Sequence, residues 1–470
     1  SNLPWAGTTH GGEGYAKLLQ GTSWPKASSS SANNVYDLWH AAINSRGEFY
    51  SVDSPEAMVQ AFQDILTRIA ERKSSAAMPG TSSAIEVFED ADGEEDGRLH
   101  QFFYQTTFNS ADGWSGDLTK TERYREYNET TQEFEWVTKN AWSAAAKLPA
   151  HGARKIYMAN STGNNLIEFT AANSANSATY NGETLAQHLA VNPEPGKQSN
   201  AYTAAQRLDY LRGSDASAGE ADDKMRERSS KLGDFLGSSP VVVGNQGRYL
   251  EGFSNKLEEN EAYTAFLASI QDRKAMVYVG GNAGMLHAFN AETGVEEFAF
   301  VPTAVFPYLN KLTGKGYTHQ YYVDGTPTVA DIYDKENGKW RTILVGTLRA
   351  GGKGLFALDI TDPENISLLW EFHEYSAEAV DLAIKPGYSF PNPTVARLHN
   401  GSWAVVTGNG YKGEGTNNGG AALYIIDAIT GKLTKSLEVT GETGENGLST
   451  PRLVDFDGDG VADYAYAGDL

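Results

Sequence analysis

The chain has 470 residues, a 40% apolar fraction and a formal charge of −22, which suits a folded core and an anionic surface. Such a surface repels phosphate backbones, so nucleic acid is excluded as a natural partner, while cations are attracted. There is no cysteine, which excludes disulfides and thiolate metal sites within this stretch.

The first 75 residues read as α/β. A helix is predicted over 35–43 and a short strand over 48–52. Ser54-Pro55-Glu56 then sets Ser54 at an N-cap and Pro55 at the first helical position. Met58, Phe62, Ile65, Leu66 and Ile69 follow at helical spacing and give one apolar face up to Arg72. Residues 74–83, rich in Ser, Ala, Pro and Gly, read as a linker. The opening lacks a methionine and a signal peptide and reads as a piece of a longer precursor. The longest apolar runs, such as 403–407, are too short to span a bilayer.

Beyond the linker the period changes to two. Met276-Val277-Tyr278-Val279-Gly280-Gly281 followed by Gly284-Met285-Leu286-His287-Ala288-Phe289-Asn290 reads as strand, glycine-rich hairpin, strand, then a turn. The same pattern recurs over 342–359 and over 403–427. Ser239-Pro240, Thr326-Pro327, Asn392-Pro393 and Thr450-Pro451 punctuate the repeats, with prolines 87, 66 and 58 residues apart. A loose repeat of that length with four strands per unit is the pattern of β-propeller blades. One such sheet cannot bury both faces alone, whereas radial stacking covers each with its neighbours. The fold class expected is therefore mainly β, a β-propeller that is incomplete in this stretch.

The chemistry concentrates in Asp455-Phe456-Asp457-Gly458-Asp459-Gly460-Val461-Ala462-Asp463. Calcium takes six to eight oxygen ligands, several from carboxylates. With Asp455 as position 1, carboxylates fall at 1, 3, 5 and 9, and Val461 offers its carbonyl at position 7. Gly460 at position 6 supplies the sharp turn. Position 12 is Tyr466 rather than glutamate, so Asp463 closes the shell, and strands flank the loop where an EF-hand has helices. Four carboxylates this close repel by on the order of several kcal/mol without a cation. The expected metal ligands are Asp455, Asp457, Asp459, Val461 and Asp463, and the expected cofactor is Ca2+.

Other motifs read as structure. Asp90-Ala91-Asp92-Gly93-Glu94-Glu95-Asp96 is a solvated hairpin tip. Gly408-Asn409-Gly410-Tyr411-Lys412-Gly413 matches a dinucleotide fingerprint, but the glycine-rich residues after it cannot open the helix that motif requires. Gly351-Gly352-Lys353-Gly354 is a tight turn. His287 lies in a strand as a packed or edge residue. No catalytic set is present in the sequence, so a non-enzyme is expected.

Several segments resemble, in order, the PilY/PilC family of type IV pilus tip-associated adhesins. They are Asn109-Ser110-Ala111-Asp112-Gly113-Trp114-Ser115-Gly116-Asp117-Leu118, Tyr210-Leu211-Arg212-Gly213, Arg228-Ser229-Ser230-Lys231-Leu232-Gly233-Asp234 and Val323-Asp324-Gly325-Thr326-Pro327-Thr328-Val329. Residues 351–359 and Gly447-Leu448-Ser449-Thr450-Pro451 continue the set. The likeness runs from about residue 35 to the end and is densest from 205. It implies a propeller over 76–470 preceded by the α/β tail of a von Willebrand factor A-type domain over 1–75. It further implies a pilus-tip or cell-surface protein, exported through the periplasm, with minor and major pilins and a host-cell or surface receptor as partners. Pilus assembly, the balance of extension and retraction in twitching motility, adhesion and virulence are the roles implied. The family's calcium loop carries over to Asp455, Asp457, Asp459, Val461 and Asp463. Some members show Arg-Gly-Asp after Tyr-Leu, but Arg212-Gly213-Ser214-Asp215 stands here, so integrin-type binding does not carry over. The alternative is a quinone-dependent dehydrogenase, since residues 278–294 resemble the repeat of quinoprotein propellers. It lacks the vicinal disulfide and the quinone pocket many such enzymes use. A secreted glycan-binding propeller has no aromatic platform to point to.

Overall fold

The structure is a computed structural model. It describes residues 101–470 except 195–201, 222, 249–259, 416–418, 440–444 and 470, and, upstream, only the strands at 80–81, 86–89 and 95–100 with a few residues between 28 and 41. Residues 34, 37, 38, 40 and 41 are helical, at the place expected for the helix over 35–43. The predicted strand over 48–52, the helix from Pro55 to Arg72 and the acidic tip over 90–94 lie outside the described residues.

The repeats form consecutive antiparallel sheets. Strands Thr328–Asp334, Lys339–Thr347, Gly354–Asp359 and Ser367–His373 pair in chain order, as do Thr394–Arg397, Trp403–Gly408, Ala422–Asp427 and Leu433–Glu438. The sheet before them contains Val241–Val243, Met276–Gly281, Met285–Asn290 and Glu296–Phe300 in the same up-and-down order. Arg452–Val454 and Tyr464–Tyr466 form the hairpin after the third.

Alternation along these strands explains why they read as continuous apolar runs. In the second sheet Leu344, Phe356 and Leu358 join a core with Tyr278, Leu286 and Ala288 of the first sheet. Their neighbours Ile343, Val345, Leu355 and Ala357 join another with Val405, Tyr424 and Ile426 of the third. On the far side of the third sheet, Ala404, Val406 and Leu423 pack with Leu448, and Leu453 lies against them. Each sheet thus has two buried faces, each such aliphatic side chain contributing ~1.5–3 kcal/mol. Blade-on-blade stacking follows.

The proline motifs tie the blades together at their first strands. The Ser239 amide donates to Thr326 Oγ1 at 2.9 Å, and the Asn392 amide to Thr450 Oγ1 at 3.0 Å. Thr328 Oγ1 donates to the Pro393 carbonyl and Thr394 Oγ1 to the Pro451 carbonyl, at 3.2 and 3.4 Å. Proline, with no N–H, leaves its carbonyl to accept from the next blade.

The structure corrects two expectations. Gly80–Thr81, within the stretch read as a linker, is a strand paired with Phe103 and Tyr104. Backbone pairing alone carries it, so no side-chain pattern announced it. The stretch between the linker and the repeats is not all strand either. Helices occupy Leu185–Ala190, Ala204–Arg212 and Asn260–Ser269, and the segment Ile156–Ala159 pairs in parallel with Ala299 and Phe300 to extend the first sheet. Thr203 and Gln206 form a capping box at the start of Ala204–Arg212, a local signal present in the sequence.

Candidate metal centre

The acidic loop joins Arg452–Val454 to Tyr464–Tyr466, which pair with Val454 opposite Tyr464. Asp463 N donates to the Val454 carbonyl at 2.9 Å and closes the hairpin around the loop. Inside it Gly458 and Gly460 take φ of 75° and 89°, the left-handed region that glycine enters without a Cβ penalty.

Backbone amides organise the carboxylates. Asp455 Oδ1 accepts from the Gly458 amide at 2.7 Å and the Asp459 amide at 3.1 Å, and its Oδ2 accepts from Gly460 at 2.9 Å. Asp463 Oδ2 accepts from the Phe456 amide at 2.7 Å. As a result, one carboxylate oxygen each from Asp455, Asp457 and Asp463 converges, all within 4.8 Å of one another. Asp459 is not part of that convergence; its Oδ1 accepts from the Val461 amide at 2.8 Å. Asp457 and Asp459 are exposed, Asp455, Val461 and Asp463 half-buried. Two unit charges at such a separation repel by about 1 kcal/mol in water and about 3 kcal/mol at an effective dielectric of 20. The backbone dipoles offset part of this, and a hard cation with oxygen preference fits the remainder.

Two contacts escape any reading of the sequence. The Ala462 amide donates to the Arg397 carbonyl at 3.0 Å, and His399 Nε2 lies 3.0 Å from Asp463 Oδ1. Both residues belong to the first hairpin of the preceding blade, some sixty residues upstream in sequence, and only blade stacking brings them to the loop.

The remaining motifs resolve as structure. His287 is fully buried; its Nδ1 meets Glu296 Oε1 at 2.8 Å, and the ring sits between Phe235 and Phe289. Gly408 ends a strand, and no helix follows among the described residues up to Ala422. Arg212 is buried, its guanidinium donating to the carbonyls of Phe169, His151 and Arg154. Asp215 pairs instead with Lys231. The Arg-Gly-Ser-Asp run therefore offers no paired receptor-binding charges.

Among the described residues no helix is long and apolar enough to cross a membrane. Comparison with known proteins bears on the whole arrangement. The family model of the PilY1 beta-propeller domain matches residues 232–470. The chain is 49% identical over 476 residues to the type IV pilus biogenesis factor PilY1 of Pseudomonas aeruginosa strain PAK, covering 99% of this chain and 38% of that protein. A PilY1 homolog of Xylella fastidiosa is 43% identical over 275 residues, covering 58% of this chain and 22% of it. The solved C-terminal domain of Pseudomonas aeruginosa PilY1 is 52% identical over 49% of this chain and 43% of that one, with a TM-score of 0.40. The chain spans about two fifths of the length of the first of these relatives. With its successive four-stranded sheets and the match over 232–470, the chain belongs to the PilY1 beta-propeller family.

Proposed function

We propose that this chain is the propeller-bearing part of a non-enzymatic, calcium-binding pilus biogenesis factor. The observation that carries the calcium reading is the convergence of Asp455, Asp457 and Asp463 oxygens within 4.8 Å on a loop held by its own amides. These three hold the ion, with Asp459 and the Val461 carbonyl completing the ligand set. The ion supplies charge neutralisation and cross-links the two ends of the loop. Because Ala462 bonds to Arg397 and Asp463 meets His399, a bound ion stiffens the contact between this hairpin and the preceding blade.

The names of the relatives support a role in type IV pilus biogenesis. On that basis the protein acts at the pilus tip and bacterial surface after export through the periplasm. It contacts minor and major pilins, sets the balance of extension and retraction in twitching motility, and attaches to host cells or surfaces. Catalysis has no place in this reading.

The test is isothermal calorimetry with calcium on the parent and on Asp455→Ala. Asp455 alone accepts three loop amides, so its loss is expected to abolish binding while circular dichroism stays unchanged. A variant that binds calcium as tightly as the parent refutes the site. Normal pilus display and motility in a strain carrying a calcium-dead variant refutes the link to pilus function and leaves the site standing.

A further inference from the structure

Arg226 and Arg228 line one narrow cavity, together with Trp114 of the turn at 110–114 and Asn282 of the first blade. Its volume is about 20 Å3, room for one water-sized species. Aromatic faces hold both guanidinia: Arg226 lies over Tyr317 at 4.2 Å and Arg228 over Tyr210 at 3.9 Å. Each also donates to a carbonyl, Arg226 Nη1 to that of Gly113 at 2.8 Å and Arg228 Nη2 to that of Tyr210. Both Nε atoms are buried without a hydrogen-bond partner.

The charges around this cavity do not balance. Its ionic lining is Arg226, Arg228, Lys231 and Asp234. Lys231 pairs with Asp215. Asp234 Oδ1 meets His319 Nε2 at 2.9 Å, and its Oδ2 accepts from Asn282 Nδ2 at 2.6 Å. Among the described residues no carboxylate comes within ion-pair distance of either guanidinium. Arg228 and Gly113 also line a wider hollow, whose other charged residues are Asp112, Asp215 and Glu227. Those acids are committed or exposed: Asp112 accepts from the hydroxyls of Ser115 and Ser229, and Glu227 faces solvent.

A buried charge is ordinarily paired, because desolvating an ion without a counter-charge is costly. Burial lowers the Arg228 guanidinium from its ordinary value. Arg226 adds to that as a like charge and outweighs the opposing pull of Asp215. Two neighbouring cations with idle N–H donors therefore face a space that fits one small ion.

We propose that the cavity binds a single small monovalent anion, of which chloride is the natural example, between the guanidinia of Arg226 and Arg228. The ion accepts from the two Nε–H groups and offsets the repulsion between the arginines. Sign and size select it. A water molecule brings no charge to set between the cations, and an organic carboxylate or a phosphate exceeds the cavity. The acids of the wider hollow repel polyvalent anions. Because Trp114, Asn282 and Tyr317 line the same space, the ion ties the turn, the first blade and the segment that follows it into one unit.

The experiment uses the full chain in calcium-free buffer. Thermal melts compare sodium chloride with sodium gluconate at equal ionic strength. Chloride is expected to raise Tm by about 2 °C along a saturating curve, with bromide doing the same and gluconate not. Crystals grown in sodium bromide should show an anomalous peak between Arg226 and Arg228. Arg226→Gln removes one charge and should abolish the chloride-specific shift with circular dichroism unchanged. If that variant does not fold, the bromide peak and the saturating shift of the parent decide the question. Equal melting in chloride and gluconate overturns the proposal, as does a cavity without bromide. A bromide peak with no saturating shift marks an adventitious ion only and overturns it too.

Discussion

Glu296→Gln isolates the cost of disturbing a buried ionic network that clamps the residues just before Ile156–Ala159 to the first blade. Arg154 grips Glu296 with two bonds of 2.6 and 2.8 Å, and both side chains are essentially inaccessible, 1% and 0% exposed. His287 Nδ1 meets the same carboxylate, and Arg154 Nη1 donates to the Arg212 carbonyl at 2.9 Å. Removing one charge of such a pair leaves the other buried and uncompensated, a loss of about 3–5 kcal/mol. A second route gives a similar figure. Burial alone would raise the Glu296 carboxyl, but Arg154 and His287 outweigh it and hold it at about 2 against an ordinary 4.5. At 1.36 kcal/mol per unit, that is on the order of 3 kcal/mol of stability. The sign follows from the lowered value: the stabilisation is present above 4.5 and fades as pH falls toward 2. His287 adds to the same trend, because burial lowers its value from 6.5 and the neutral ring is the one the core favours. The assay is urea denaturation at pH 7.5 and at pH 5, read by tryptophan fluorescence. Glu296→Gln should lower the midpoint sharply with little change in slope, and the double variant Arg154→Met/Glu296→Leu should recover much of the loss. A loss under about 1 kcal/mol, or a double variant no better than the single one, refutes the clamp.

Burial raises the Glu371 carboxyl to about 7, although it accepts from the Thr303 amide at 2.7 Å. Its contribution is therefore full below 4.5 and lost as pH rises through 7, so Glu371→Gln should stabilise the chain by about 2–3 kcal/mol at pH 8 and little at pH 5, measured by thermal melts at both values. Gly408→Ala sets a Cβ 2.2 Å from the Leu448 carbonyl oxygen, forcing the third blade from the next hairpin; a drop of several degrees in Tm is expected, on the order of 2 kcal/mol or more. Gly460→Ala places a side chain at φ of 89° and should cost about 1 kcal/mol or more, which calorimetry would read as calcium affinity reduced about fivefold or more.

Much of the architecture was legible in local pattern. The hairpins at 276–290, 342–359 and 403–427 lie where alternation and glycine placed them, because a hairpin is specified by residues close in sequence. The acidic loop was legible for the same reason: the turn at Gly460 and the spacing of Asp455, Asp457 and Asp463 are properties of nine residues. The capping box of Ala204–Arg212 was equally local, yet the surrounding strand pattern masked it.

Long-range pairings were decided by the tertiary structure alone. Ile156–Ala159 pairs in parallel with Glu296–Phe300, some 140 residues on, and a short strand of four residues carries no register of its own. Arg154, Glu296 and His287 read separately as ordinary polar residues; packing the segment that leads into Ile156–Ala159 against the first blade buries them and makes them one network. The loop's anchorage at Arg397 and His399 arises the same way. Hydrophobic alternation determines that each sheet must be covered on both faces, and only the closed packing determines which polar groups meet in the space between.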